Sequence, residues 1–590
     1  MLVGPVFTRE LTTTPRNLRF YLARAGYVAA LQGLAFTAWL ILSQQLRGLG
    51  DVARFGSAVF TLIAPLQLAM AVAFSALLTA AAVAQEKDRR TLDLLLMTNL
   101  TNAELVLGKL FASMLSVLVL IVAAVPLMLA FTLLGGISYL QVIRVVGVTL
   151  VAALAAGSLG SMIALWRERT FQSLALTTLL LVMWLIVGEV VRSGTLGNTW
   201  QGIEAVHWAT AISPLRAILS AMRPEESSVR ALLWCGGPVN LFILGSTAAA
   251  VLINLWAMAR VRVWNPTQEV ARRGAETEDG TDPISATSQP MGHLKSRRVW
   301  DNPILWREIR TRAYGKKIIV VRLGYLIIFG ICAAGLFSQL TAGDHAALQY
   351  GGLIHTAAKP LIPLFVLGLV LVNALAVTSL TSERDLRALD LLLVTDLTPK
   401  EILFGKLGGV FFNCKEMILL PIFLCLVLWQ NDLLTTENLI FLGTAFLVMN
   451  TFVAMVGVHV GMTYAESRGA VAVSLGTVLF LLLGIAVCMR MMMAFQSSFH
   501  YQLQAFIAFI VGGGIALFIA LGRRNPSSAI GLASFSAPFL TFYVITSFLN
   551  KNYDSAFLVT VGTYGFATLA LLIPAIDEFD VATGRTTGGD

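Results

Sequence analysis

Runs of about 20 consecutive apolar residues recur along this chain, and they constrain its fold more than any other feature. At 1.5 Å of rise per residue, each run matches a hydrocarbon layer roughly 30 Å thick. A soluble core could not take up this much apolar surface. Of 590 residues, 57% are hydrophobic and 13% charged, against about half and a quarter in soluble domains. Lipid offers no water to the backbone, so each run must close its own hydrogen bonds as a helix. The expected fold class is all-α: a polytopic α-helical membrane protein.

The net charge of +9 does not point to nucleic acid. The basic residues gather at the ends of apolar runs, as at Arg167, Arg169, Arg260, Arg262, Arg297, Arg298, Arg523 and Arg524. That placement reports membrane orientation. The five cysteines (Cys235, Cys332, Cys414, Cys425, Cys488) show neither disulfide nor zinc spacing. The six histidines are scattered, and no metal is expected. No short apolar core with a cleavage site opens the chain, so no removable leader is expected.

Two segments recur in the same order. Residues 4–27 and 302–325 share Pro5/Pro303, Arg9/Arg307, Glu10/Glu308, Arg24/Arg322 and Gly26-Tyr27/Gly324-Tyr325, at a constant offset of 298 (308 − 10). Residues 86–110, EKDRRTLDLLLMTNLTNAELVLGKL, match 383–407, ERDLRALDLLLVTDLTPKEILFGKL, at an offset of 297 (383 − 86). Two generic apolar loops would not keep the same charged positions by chance. The expected organisation is therefore a tandem duplication: a first unit over 1–263, a linker over 264–300 and a second unit over 301–590. The linker is rich in Glu, Asp, Ser, Thr, Gly and Pro and lacks apolar periodicity, which reads as flexible coil.

Spans are expected near 21–46, 57–84, 109–134, 140–165, 170–192 and 237–260 in the first unit. In the second they fall near 318–340, 358–381, 407–430, 437–462, 469–490, 502–522, 528–549 and 556–575, the seventh of these a candidate re-entrant segment. Ile212-Ser213-Pro214-Leu215 has a weak counterpart in Ser536-Ala537-Pro538-Phe539. Both repeated loops are rich in Lys and Arg and fall on one side in this plan, with the linker and both chain ends. By the positive-inside rule that side is cytoplasmic, at the inner or plasma membrane.

The repeated loop has a readable local structure. The second span ends at Glu86 or Glu383, where acidic and basic side chains arrive together. Leu92, Leu95 and Leu96 then line one face of a short helix. Thr101-x-x-Glu104 and Thr398-x-x-Glu401 are capping boxes that start the next helix. Pro399 stands at the first helical position, where its missing N–H costs nothing. Lys109 is placed to snorkel to the interface. The product is a short transverse helix braced between two spans, able to transmit force from a docked partner. An ordinary capped loop would explain the caps and the basic residues, but not why the charge cluster and Leu-Asp-Leu-Leu-Leu occur twice. The segments before the first spans, 5–18 and 303–317, read as helices lying in the interface, with Leu305, Ile309 and Ala313 opposite Arg307, Arg310 and Lys317.

The pattern E-[KR]-D-x-R-x-L-D-L-L-L-x-T-x-L-T-x-x-E-[LI]-x-x-G-K resembles the cytoplasmic loop of ABC type-2 (exporter-class) permeases. That family also has an amphipathic elbow helix and typically six spans per unit. The resemblance implies that the loops hold coupling helices contacting separate ABC ATPase subunits, two per complex, which would carry ATP and magnesium. Carried over residue by residue, the coupling positions are Glu86, Asp88, Arg90, Leu92, Asp93, Thr98, Thr101 and Glu104. Their counterparts are Glu383, Asp385, Arg387, Leu389, Asp390, Thr395, Thr398 and Glu401. The elbow positions are Arg9, Glu10, Arg307 and Glu308. Two departures stand out. Many relatives have Pro where this chain has Asn99 and Asp396, and the second unit exceeds six spans, so the resemblance stops short of its C-terminal third.

No G-x-x-x-x-G-K-[ST] phosphate loop, H-E-x-x-H or G-x-S-x-G occurs. Gly512-Gly513-Gly514 lies in an apolar run and reads as helix packing. The chain is therefore expected to bind no cofactor of its own and to be a permease, not an enzyme. Glu189, Asn373, Lys415, Glu416, Asn450 and His459 fall within spans and are functional suspects by default, but none is assigned to substrate. Rival readings are a polytopic enzyme acting on a lipid-linked substrate, or an ATP-independent channel or scaffold. The first lacks a polar catalytic cluster, and the second leaves the duplicated loop without a partner.

Overall fold

The computed structural model describes residues 4–13, 18–42, 48–193, 197, 199–200, 203–223, 236–266, 300–310, 318–341, 358–494, 499–523 and 526–580. The expected linker, apart from its first three residues and its last, lies outside them, as do Cys235 and the 311–317 part of the second amphipathic segment.

The N-terminal half comprises α1 (Gly4–Thr13), α2 (Leu18–Leu42), α3 (Leu49–Asp88), α4 (Thr91–Leu96), α5 (Asn102–Leu133), α6 (Tyr139–Trp166), α7 (Thr170–Arg192), α8 (Ala205–Ile212), α9 (Pro214–Ala221) and α10 (Pro238–Trp264). The C-terminal half comprises α11 (Pro303–Arg310), α12 (Ile318–Thr341), α13 (Leu361–Asp385), α14 (Ala388–Leu393), α15 (Pro399–Asn413), α16 (Lys415–Gln430), α17 (Thr436–Thr463), α18 (Ser467–Ala494), α19 (Phe499–Leu521), α20 (Ser528–Leu549) and α21 (Tyr553–Asp577). A two-residue hairpin, β1 (Thr199–Trp200) with β2 (Ile203–Glu204), is the one strand pairing among the described residues.

Twelve of these helices are long and apolar enough to cross a membrane, thirteen if α15 and α16, bent by 54°, form one broken span. The protein is an all-α polytopic membrane protein. Each of the fourteen expected spans coincides with helix. The first, 21–46, is α2 up to Leu42, which is not counted among the twelve, and its residues 43–46 lie outside the described ones. The expected span 407–430 breaks at Asn413-Cys414. The segment 528–549, considered as re-entrant, is a continuous helix through Pro538.

Helix bounds repeat with the sequence offset: α4 and α14, and α6 and α17, differ by 297 at both ends (388 − 91, 393 − 96, 436 − 139, 463 − 166). The packing repeats as well. Gly160 of α6 lies so close to α3 that a Cβ would come within 2.4 Å of the Ala76 carbonyl oxygen. Gly457 of α17 meets the Asn373 carbonyl of α13 in the same way, at 2.9 Å. Small residues at these crossings let two helix backbones touch, and hydroxyls then bond across: Ser75 donates to the Ala153 carbonyl at 2.5 Å. Between the halves, α3 packs on α18, α7 on α12 and α13, and α2 on α19.

The halves diverge after α7 and α18. The C-terminal half continues with the full-length α19 and α20, whereas the N-terminal half has α8 and α9, eight residues each. At about 12 Å apiece, neither can cross the hydrocarbon layer. The chain enters beside the end of α7, turns at Ser213-Pro214 and returns to Met222, whose carbonyl accepts from Gln141 at the start of α6 (2.7 Å). Its irregular turn is satisfied from within the protein, as lipid requires: Trp184 Nε1 donates to the Ile212 carbonyl at 2.8 Å.

Candidate functional site

The repeated loops have the same backbone course. Each long helix ends in an acid, Asp88 or Asp385, and two residues later the chain passes through the left-handed region at Arg90 (φ 57°) and Arg387 (φ 56°). A non-glycine residue there costs about 1–3 kcal/mol. The turn sends α4 and α14 out of line with the helices they follow. Both short helices close by a hydroxyl: Thr98 donates to the Leu95 carbonyl and Thr395 to the Leu392 carbonyl, each at 2.6 Å. Thr101 and Thr398 then cap α5 and α15, each accepting from the N–H of Glu104 or Glu401, whose carboxylate accepts in return from the Thr backbone N–H. Both predicted capping boxes are present.

Each loop helix divides its leucines between inside and outside. Leu92, Leu96 and Leu389 are buried, anchoring the helices to the bundle. Leu94 (65% exposed) and Met97 (64%) stand outside, and so do their counterparts Leu391 (74%) and Val394 (86%). Asp93 is half-buried and Asp390 exposed.

Behind the loops, charged groups tie the helix ends together. Lys87 donates to the carbonyls of Leu165 and Arg167 (2.9 Å to the latter). Arg384 does the same at the end of α17, donating to Gly461 (2.9 Å), Met462 (3.0 Å) and Tyr464. A cation thus sits at the C-terminus of α6 and of α17, where the helix dipole favours it. Asp88, buried, accepts from the Thr170 hydroxyl (2.5 Å) at the start of α7, the end that favours an anion. The halves meet where Arg89 donates to Asp385 at 3.0 Å.

The amphipathic helices rest on the helix that follows each loop. On α1, Phe7 packs edge to face on Phe111 (6.2 Å) and Gly4 lies against the Glu104 side chain. Just before α11, Asn302 donates to the Glu401 carbonyl at 2.9 Å. Lys406 is held between two carboxylates, Glu308 of α11 and Glu383 of α13, at 2.6 Å each, and donates also to the Ser379 carbonyl at 3.1 Å. Arg307 pairs with Glu383 and Glu308. Burial works against the Arg307 charge, but these two carboxylates outweigh it and hold its pKa above the ordinary value. In the N-terminal half, Lys109 pairs with Glu86; Arg9 and Glu10 occupy the positions on α1 that match Arg307 and Glu308.

Lys109, expected to snorkel to the interface, pairs with Glu86. Its counterpart Lys406 is 1% exposed, tolerated because its three donors all find acceptors. Sequence reasoning also missed Arg262. From the end of α10 it donates to Asn102 Oδ1 (2.8 Å) and to the carbonyls of Leu96 (3.2 Å) and Leu100 (3.1 Å), strapping the first loop. Position 399 is Pro, so the second loop cannot repeat the Asn102 contact.

The intramembrane polar residues resolve into local roles. Asn373 donates to the Val453 carbonyl and accepts from Ser474. His459 bonds the Leu521 carbonyl, and Asn450 donates to that of Phe446. Glu416 pairs with Arg322, Lys415 lies over the Phe412 ring, and Glu189 binds Arg216 and Arg192. Among the described residues no group of three His, Cys, Asp or Glu could hold a metal ion, and four cysteines are free and buried.

No curated protein and no solved structure matches this chain. Over residues 21–261, from α2 through α10 and including the first loop helix, the sequence matches the family model described as ABC-2 family transporter protein.

Proposed function

We propose that the whole chain is a fused pair of ABC-2 permease units, an exporter energised by two separate ATPase subunits that dock on α4 and α14. The observation that carries this reading is the pair of outward apolar side chains on each loop helix, Leu94/Met97 and Leu391/Val394, repeated at the offset of the sequence repeat. Exposed apolar residues on a short, rigidly backed helix suit a partner's pocket. The backing is specific: α1 and α11 act as elbows, and the Lys406–Glu308–Glu383 cluster joins the elbow to the two helices that flank the second loop. A push on α14 would therefore reach α13 and α15 together. The family match over the N-terminal half supports the same reading, and the chain carries no phosphate loop, so ATP with magnesium belongs to the partner. In this reading both loops and both termini face the cytoplasm, and the lipid bilayer is a further partner; nucleic acid is none.

The reading is tested by copurification from mild detergent followed by ATPase assay. The isolated chain should not hydrolyse ATP, and the complex should. Vanadate-sensitive hydrolysis by the isolated chain, or the absence of any ATPase from the purified complex, would defeat it.

A further inference from the structure

The C-terminal half holds a partly open cavity that the loop chemistry does not use. It lies between α18, α19 and α20, with about 60 Å³ of free space, room for several methylene groups. Phe480, Gly484, Cys488, Phe509, Gly513 and Pro538 contribute to its wall. Thr541 is the polar exception, and its hydroxyl is already engaged with the Tyr564 hydroxyl at 2.9 Å. Apart from the weakly polar Cys488 thiol, no free donor or acceptor in the wall faces the space, too little for a headgroup, a sugar or an ion, which leaves hydrocarbon. Two glycines keep it open: a Cβ on Gly484 would find nothing nearer than 3.9 Å, and one on Gly513 nothing nearer than 3.5 Å.

Depth identifies the occupant. The lining residues lie at the middle of three membrane-crossing helices, on the stretches 480–488, 509–517 and 537–545. Ile507 and Val511, at or within one turn of this stretch of α19, are about half exposed on the outer surface. What surrounds the cavity at this depth is the hydrocarbon of the bilayer. We propose that it is a binding site for a lipid acyl chain, entered sideways from the membrane. Cys488 and Phe509 also line a second, narrower gap shared with Leu34 and Thr37 of α2. A chain seated here therefore borders the seam between the halves, where it can sense or bias their relative movement. Helices α19 and α20, which form two of its walls, stand where the N-terminal half has the short α8 and α9, so the site belongs to the C-terminal half alone.

The experiment uses the full chain in phosphatidylcholine vesicles containing a trace of phosphatidylcholine with a diazirine at mid-acyl chain. After photolysis, adducts are mapped by mass spectrometry. Adducts are expected on the lining residues, above those on the outer surface of α10 at Leu252 and Trp256, and Gly513→Leu and Gly484→Leu, which fill the space from two walls, should remove them while leaving the α10 adducts unchanged. The α10 adducts also report correct insertion, and the wild-type map stands by itself if a variant does not fold. Lining-residue adducts no more abundant than those on α10, or insensitive to both substitutions in inserted protein, would overturn the proposal.

Discussion

Arg89, at the end of α3, donates through Nε to the carboxylate of Asp385, at the end of α13, across 3.0 Å. The Asp385 side chain is 2% exposed, and Asp88 lies within electrostatic reach of it. Arg89 therefore bridges the two halves and offsets the repulsion between two acids where they meet. The position matching Arg89 is Leu386, so nothing returns the contact to Asp88. The interface between the loops is asymmetric although their backbones follow the same course.

Removing that guanidinium leaves a buried carboxylate beside another. Arg89→Ala is expected to destabilise the protein by about 1–3 kcal/mol, since one buried partner loses its charged hydrogen bond. Asp385→Asn in the same background should recover much of the loss, because the repulsion goes with the charge. Unfolding midpoints in detergent, compared as a double-mutant cycle, decide the matter. Additive losses would mean the two groups do not interact.

The Lys406 cluster makes a sharper claim. Lys406→Met would leave Glu308 and Glu383 sharing Arg307 as their remaining cation, and breaking so buried a cluster costs about 3–5 kcal/mol. Lys109 is 18% exposed and its partner Glu86 27%, so water can replace part of what Lys109→Met removes, and about 1 kcal/mol is expected. Thermal unfolding at one fixed scan rate should rank Lys406→Met well below Lys109→Met. Equal midpoints would show that the buried cluster is no more essential than the half-exposed pair.

Much of this architecture was legible in the residues themselves. The apolar runs located every long helix, since in lipid each must satisfy its own backbone. The capping boxes at Thr101 and Thr398 depend only on residues three apart, so they too could be read directly. The partners of Lys406 could not. Glu308 lies 98 positions away, and nothing local distinguishes a lysine that snorkels from one buried between acids. The half-length α8 and α9 escaped for a similar reason. Their turn is stabilised by Trp184, Gly188 and Gln141 on other helices, and not by Ser213-Pro214 alone. The 297-residue offset held a signal left unused: reading Lys109 against Lys406, each 23 residues after a glutamate (109 − 86, 406 − 383), would have suggested the repeated pair.

The α8–α9 turn depends on Gly188. A Cβ there would come within 2.3 Å of the Ser213 Cβ, and neither helix can yield without moving the turn. Gly188→Ala should cost about 1–3 kcal/mol through overpacking. Limited proteolysis of the 203–223 segment, with unfolding midpoints, measures it. A variant as resistant and as stable as wild type would mean the turn is loosely held.

The exposed faces of α4 and α14 give the most direct test of the proposed docking. Leu94 and Leu391 point away from the bundle, so charging them should change stability by no more than about 0.5 kcal/mol. A docked partner would instead have to bury a carboxylate in an apolar pocket, which costs several kcal/mol unless the group is paired. Leu94→Asp and Leu391→Asp should therefore insert and melt like wild type but lose the ATPase subunits on purification. The singles separate two arrangements. If each loop holds its own subunit, Leu94→Asp alone should leave complexes retaining one subunit at α14, visible by native mass spectrometry as one permease chain with one ATPase. If the two subunits bind only as a pair, both should be lost together. A double variant that keeps two ATPase subunits and full stimulated hydrolysis would place the docking surface elsewhere on the molecule.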